Sequence, residues 1–148
     1  MPDSSSTSFA VIPESVTYAW LPYSAREIGC VLEEIADALS LVTVSLPDYV
    51  EVYLVDDGAI CAANKHNLGC MGPTNVLSFP GSDDLPGTIL LSLDTLDREC
   101  LIYGQRPAEH FWRLLIHGIV HIAGYDHGEE MDSLCDLCFD SVVKRAFF

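Results

Sequence analysis

The spacing of three histidines near the C-terminal end constrains this chain more than any other feature. His117, His121 and His127 lie within the segment HGIVHIAGYDH. On an α-helix, His117 and His121 are one turn apart, so both imidazoles project from the same face. Gly124 is a typical helix-ending residue, and the chain reversal that it permits would bring His127 back toward the other two. Three converging imidazoles with one open coordination position are the ligands of a catalytic zinc site.

The alternative interpretation is that these are core histidines with ordinary hydrogen-bond partners. Three of the five histidines share one ligand spacing on a strongly apolar helix, and unpartnered buried imidazoles would cost free energy, so we favour metal binding. Cys135 or Cys138 would close a structural site, but their C-x-x-C lies in a helical-looking stretch and is more typical of buried or half-buried thiols. We therefore predict one Zn²⁺, with nickel, copper and iron as other ions that accept imidazole. His66 and His110 are predicted to be solvated or capping residues.

The spacing of the three histidines is also that of the metzincin proteases. In those enzymes a glutamate follows the first histidine and takes the proton from zinc-bound water. Gly118 occupies that position here and has no side chain to accept a proton. A zinc peptidase is therefore the least favoured of the functions considered.

Hydropathy patterns along the chain predict an α+β fold in a single domain, with the zinc-binding helix at its centre. Strands and helices mix without a strict βαβ rhythm, and 148 residues fit one domain. Ser24, with Glu27 three residues later, forms a predicted capping box for the first helix, and Pro107 fits the first turn of the histidine helix. Predicted strands cover residues 9–20, 49–55, 74–79 and 88–93, and the later predicted helices cover 59–64, 107–123 and 128–147. The pattern leaves residues 94–106 unassigned.

Charge and the N-terminal residues restrict the classes of partner. The chain has 22 Asp and Glu against 7 Lys and Arg, a formal net charge of −15. This charge disfavours binding of DNA or RNA by bulk electrostatics and adsorption to anionic membranes. Residues 1–8 are polar and lack the pattern of a secretory signal, so we expect a flexible tail before a domain at residues 9–148, reduced thiols at the six cysteines and a cytoplasmic location.

Two motifs resemble a known family. HGIVHIAGYDH resembles the H-G-x-x-H-x-x-G-Y-D-H signature of the YbeY family, which are metal-dependent endoribonucleases of bacterial ribosomal-RNA maturation. Upstream, PTNVLSFP at residues 73–80 resembles the family's P-T-D-V-L-S-F-P, and Ile89 to Ser92 followed by Asp94 resembles its strand after G-D-I. The motifs occur in the family's order over roughly two thirds of the chain, from about Tyr49 onward.

The resemblance implies a small twisted mixed sheet packed with helices, and one Zn²⁺ on His117, His121 and His127 as catalytic metal. It implies a hydrolase that cuts single-stranded RNA in 16S rRNA 3′-end maturation and in small-subunit biogenesis and quality control. Its partners would be ribosomal RNA precursor and the small ribosomal subunit or its proteins, without membrane or DNA. Asp126 would orient a histidine or a water, or else form the turn. Ser78 would face the zinc cleft, or else bond to backbone.

The chain departs from the family pattern where a substrate would be expected to bind. In the family's Y-R-x-x-D segment, Leu68 stands in the place of the arginine, Asn67 in that of the tyrosine and Met71 in that of the aspartate. Asn75 replaces the aspartate of T-D-V, and Thr88 replaces that of G-D-I. These departures and the acidity support a second hypothesis, a non-catalytic or weakly catalytic metal-binding ribosome assembly factor. Lys65 and Arg106 are the predicted candidates for a local positive rim.

Overall fold

A single four-stranded mixed sheet organises the computed structural model, which describes residues 7–14, 21–68, 74–82 and 84–148. The strands are β1 (Ser8–Pro13), β2 (Tyr49–Val55), β3 (Val76–Phe79) and β4 (Gly87–Ser92), in the order β1-β2-β4-β3. Strands β1, β2 and β4 run parallel, and β3 pairs antiparallel to β4. This mixed sheet with its helices confirms the α+β prediction.

Helices account for most of the remaining described chain. They are α1 (Ala25–Leu41), α2 (Asp57–Leu68), α3 (Leu93–Tyr103), α4 (Pro107–Ile122), α5 (Glu129–Cys138) and α6 (Lys144–Phe147), with a π-helical turn at Phe139–Val143 between the last two. The predicted capping box of α1 is present, since Ser24 Oγ accepts from the Glu27 N–H and the Glu27 carboxylate accepts from the Ser24 N–H. None of the helices formed by the described residues has the length and hydropathy that a bilayer crossing needs.

The largest difference from the sequence prediction is helix α3. The hydropathy pattern assigns no structure to residues 94–106, and it predicts that Leu93 ends a strand. In the structure Ser92 ends β4 and also caps α3, because its Oγ accepts from the Thr95 N–H at 3.2 Å. An apolar run that passes straight from a strand into a helix has no change of composition to mark the boundary.

Other boundaries shift by smaller amounts. Strand β1 begins at Ser8, one residue earlier than predicted, and ends at Pro13. Helix α2 extends the predicted 59–64 segment in both directions, and β3 begins two residues later than predicted. Residues 1–6 of the predicted tail, residues 15–20 of the first predicted strand and residues 69–73 lie outside the described residues.

Helix α4 lies at the centre of the core, as the prediction of a central histidine helix requires. Phe111, Trp112, Leu115 and Ile119 on this helix are fully buried, and the helix packs against β3 and β4. The approach is close at Gly118, where an added Cβ would lie 3.1 Å from Ser78 Oγ and 3.3 Å from an atom of Ile89. The absence of a side chain at this position therefore lets α4 rest on the sheet.

A polar cluster joins the end of β4 to the start of α2. The Asp57 carboxylate accepts hydrogen bonds from Ser92 Oγ at 2.9 Å and from Thr95 Oγ1 at 2.7 Å. Arg98 forms an ion pair with the same carboxylate. The hydrogen bond from Arg98 is the main cause that lowers the pKa of Asp57, with Thr95 and Ser92 adding to it and partial burial opposing it. Arg98 therefore has a structural partner and is not a free surface cation.

Candidate metal centre

The three histidines of the sequence motif come together at one end of α4. The ring centroids of His117 and His121 are 4.6 Å apart, those of His117 and His127 5.1 Å, and those of His121 and His127 5.0 Å. One potential ligand nitrogen from each ring lies within 4.8 Å of the others. Two rings come from adjacent turns of the helix and the third from the loop that follows it.

A Schellman turn brings the third histidine into place. The Gly124 N–H donates to the His121 carbonyl at 2.9 Å, and the Tyr125 N–H donates to the Val120 carbonyl at 3.4 Å. This pattern of bonds closes a helix whose C′ residue is left-handed, and Gly124 has a φ of 104°. The chain reverses at this glycine, so that His127 returns to the helix end as the spacing predicted.

The same turn fixes the orientation of His121. Its Nδ1 lies 2.8 Å from the Tyr125 carbonyl oxygen, to which it can donate only in the Nδ1–H tautomer. In that tautomer Nε2 carries a free lone pair, which is the arrangement of a metal-ligating histidine whose other nitrogen is hydrogen-bonded. The group that orients His121 is therefore the backbone carbonyl of Tyr125, the residue before Asp126.

The surroundings of His117 favour its neutral form. Burial lowers the pKa of His117 below its usual value, the neighbouring His121 and His127 lower it further, and Asp132 opposes them. A metal ion binds only the unprotonated ring. The donor set, the spacing of the nitrogens and the oriented His121 therefore all fit a divalent ion. These residues could hold such an ion by three nitrogens.

The two cysteines of the C-x-x-C lie on α5, and neither belongs to the three-histidine group that could hold a metal. Cys135 is half-buried and Cys138 is buried, and both are free thiols. Burial raises the pKa of Cys135 to about 11 and that of Cys138 to about 12. Metal ligation and redox chemistry need the thiolate, so these values favour the predicted role as packed thiols. Among the residues that the structure describes, the metal-competent group consists of the three histidines.

The histidines open onto a cleft of about 960 Å³. Both further site residues of the sequence analysis, Ser78 and Asp126, line it. The Ser78 hydroxyl donates to the Gly118 carbonyl at 3.2 Å, so it both borders the cleft and ties β3 to α4. Asp126 is exposed at the cleft surface. The catalytic assignment of these two residues remains a prediction.

A polar network at the other end of the cleft was not predicted from the sequence. His110 Nε2 lies 2.8 Å from Glu99 Oε1, and Asn75 Nδ2 lies 3.3 Å from each oxygen of the same carboxylate. Asn75 and His110 line the cleft together with Gln105. The prediction that His110 is solvated or capping is wrong, because its side chain is only 17% exposed and paired with Glu99. A network between residues 24 positions apart leaves no local sequence signal.

The network explains one departure from the family motif and gives a prediction. Asn75→Asp would place a second carboxylate against Glu99 where an amide now donates. We expect a loss of about 1–2 kcal/mol in the free energy of unfolding at neutral pH and a smaller loss in acid, because two carboxylates repel each other only while both are charged. Urea unfolding at several pH values measures it. Adding Glu99→Gln should restore most of the stability; an Asn75→Asp variant as stable as the wild type would contradict the prediction.

The cations predicted as a positive rim are not in the cleft lining. Lys65 and Arg106 are exposed and do not belong to the described residues that line it. Arg113 does line it, one turn of α4 before His117. Leu68 is the last residue of α2, but its side chain lies outside the described part of the structure.

Taken together, the mixed sheet, the central helix and the three-histidine cluster define a class of small α+β proteins with a metal-competent site. A family model described as Endoribonuclease YbeY matches residues 23–135. A curated relative named Endoribonuclease YbeY, from Lawsonia intracellularis, is 45% identical and covers 85% of this chain and 92% of its own. Another with that name, from Nitratidesulfovibrio vulgaris, is 42% identical and covers 86% and 88%. The chain belongs to the Endoribonuclease YbeY family, and hence to a family of nuclease hydrolases.

A solved structure supports the fold independently. The solution structure of TM1509 from Thermotoga maritima superposes with a TM-score of 0.59 at 21% identity, over 93% of this chain and 92% of that one. At this identity the similarity concerns the fold alone.

Proposed function

We propose that this chain is a zinc-dependent endoribonuclease that cuts single-stranded RNA. Its place would be the cytoplasm, in 16S rRNA 3′-end maturation and in the biogenesis and quality control of the small ribosomal subunit. The observation that carries the proposal is the convergence of His117, His121 and His127, with their ligand nitrogens within 4.8 Å of one another, on a cleft of about 960 Å³. Membership of the family supplies the reaction class.

In this proposal each residue of the site has a distinct role. The three histidines hold the ion, and the Tyr125 carbonyl keeps the His121 ring in the ligating tautomer. A bound divalent ion supplies Lewis-acid charge for a phosphodiester and lowers the pKa of water. Asp126 is exposed and lines the cleft, and it would orient a histidine or a water. Ser78 stabilises the contact between β3 and α4 beside the site.

The second candidate is a metal-binding ribosome assembly factor with little or no catalysis. It is favoured by the net charge of −15 and by Leu68 in the place of the family arginine. RNA would then bind mainly through ribosomal partners, because an acidic surface gains little from counterion release. A peptidase is disfavoured because the residue that follows the first histidine is Gly118, which packs against the sheet and has no carboxylate to act as the base.

The test compares cleavage of single-stranded RNA by nuclease-free preparations of the zinc-loaded wild type, the His117→Ala variant and the chelated wild type. We expect the zinc-loaded wild type to cleave the RNA, and the His117→Ala variant and the chelated wild type to cleave it at least about 100-fold more slowly. Equal cleavage by all three would indicate a contaminant and refute the proposal. Absence of cleavage together with binding to ribosomal precursors would favour the assembly factor.

A further inference from the structure

We propose that Arg113 forms a phosphate-binding subsite of the cleft, which holds the RNA backbone next to the position of the metal. The inference rests on the proposed function for the identity of the strand, but the subsite itself follows from the placement of one guanidinium. No motif in the sequence marks it, and the positive rim predicted from sequence lay elsewhere.

The first argument is position. Arg113 and His117 are one helical turn apart on α4, about 6 Å along the axis, and both line the same cleft. A phosphodiester near the three histidines would therefore have its neighbouring phosphate within reach of the guanidinium. The described residues include all 7 Lys and Arg of the chain, and of these seven Arg113 is the one that lines this cleft.

The second argument is the way in which the side chain is held. The guanidinium carbon of Arg113 lies 4.0 Å from the ring centroid of Phe139, the first residue of the π-helical turn. Stacking on an aromatic face fixes the plane of the guanidinium and leaves its edge available for hydrogen bonds. The side chain remains 45% exposed, so it is oriented but still accessible.

The third argument concerns the donors that remain. Arg113 Nε lies 3.4 Å from the Glu109 carboxylate, and Nη1 lies 3.9 Å from Asp136, which is longer than a hydrogen bond. A guanidinium has five N–H donors, so these two contacts occupy only a part of them. A phosphodiester offers two non-bridging oxygens, which the planar guanidinium can bind with two parallel hydrogen bonds. The nearby carboxylates would limit the subsite to a single phosphate.

The experiment measures the affinity of the zinc-loaded protein for a short fluorescein-labelled single-stranded RNA with 2′-O-methyl riboses. Fluorescence anisotropy is recorded over a range of salt concentrations, and the probe is checked for integrity afterwards. Arg113→Gln is compared with Arg106→Gln, which removes the same charge from an exposed residue whose side chain does not cap the helix. Thermal unfolding of both variants verifies that the measured protein is folded.

We expect Arg113→Gln to weaken binding about tenfold and to reduce the slope of log K against log salt by about 0.7, the change for one phosphate contact on a single strand. Arg106→Gln should leave the slope unchanged. Equal effects of the two variants, or no binding of the probe by the wild type, would overturn the subsite. Cleavage of unmodified RNA by the wild type is measured in parallel. If the two variants bind RNA differently as expected but the wild type does not cleave, only the proposed activity is refuted. If the wild type cleaves but the two variants bind RNA equally, only the subsite is refuted.

Discussion

Replacing His121 with alanine should abolish stoichiometric zinc binding and, with it, RNA cleavage. Its ring belongs to the three-histidine group that could hold a metal ion, and its Nδ1 lies 2.8 Å from the backbone carbonyl of Tyr125. Loss of a supporting hydrogen bond alone typically costs 10–100-fold in metal affinity, so we expect loss of the ligand to exceed about 100-fold. Metal analysis after dialysis and calorimetric titration with zinc measure the effect.

The matched control for this variant is His110→Gln. His110 lies on the same helix and lines the same cleft, but its ring is paired with Glu99 and lies outside the metal-competent group. Zinc stoichiometry should be unchanged in this variant. If His121→Ala retained one zinc per chain after dialysis, the ligand set derived from the structure would be wrong.

Introducing a glutamate at position 118 should unfold the protein rather than create a peptidase. A Cβ there would lie 3.1–3.3 Å from Ser78 Oγ, Ile89 Cδ1 and Val76 Cγ2. The rest of the side chain would have to separate α4 from the sheet or bury a charge, so we expect Gly118→Glu to lose more than about 3 kcal/mol in the free energy of unfolding. Urea unfolding measures the loss, and casein cleavage should remain absent.

A pair of alanine substitutions isolates the steric cause. Gly118→Ala should destabilise the fold by about 1–2 kcal/mol, because the methyl group meets three tight contacts. Gly29→Ala, on α1, should stabilise it by up to about 1 kcal/mol, since its nearest neighbour is at 4.0 Å and alanine favours the helix. Opposite signs would support close packing at residue 118; a stable Gly118→Ala variant would contradict it.

The parts of the molecule that could be predicted from the sequence are those whose signals are local. The Ser24 capping box, Gly124 and the three ligands each depend on residues within a few turns of one another, and the structure places them together as expected. Helix α3 was missed because Ser92 both ends a strand and caps a helix. The Glu99 network and the stacking of Arg113 on Phe139 depend on packing between separate elements, which no single segment encodes.

The resemblance to a family and the three-dimensional packing contributed different information about the site. The motif predicted the candidate metal ligands and the reaction class. It also identified Asn75 and Leu68 as departures, and the structure accounts for Asn75 through its bonds to Glu99. The packing also explains why residue 118 is a glycine, since α4 is in close contact with β3 and β4 at this position.

All three ligands lie within eleven consecutive residues, from His117 to His127. The unfolded chain therefore still carries three imidazoles at a chelating spacing, and it can retain part of its affinity for the ion. Stabilisation by a ligand depends on the difference between its affinities for the native and the unfolded chain. Zinc should consequently raise the melting temperature less than its native-state affinity alone would suggest, and its removal should first increase amide hydrogen exchange in the Gly124 turn, while the sheet and the buried half of α4 stay protected.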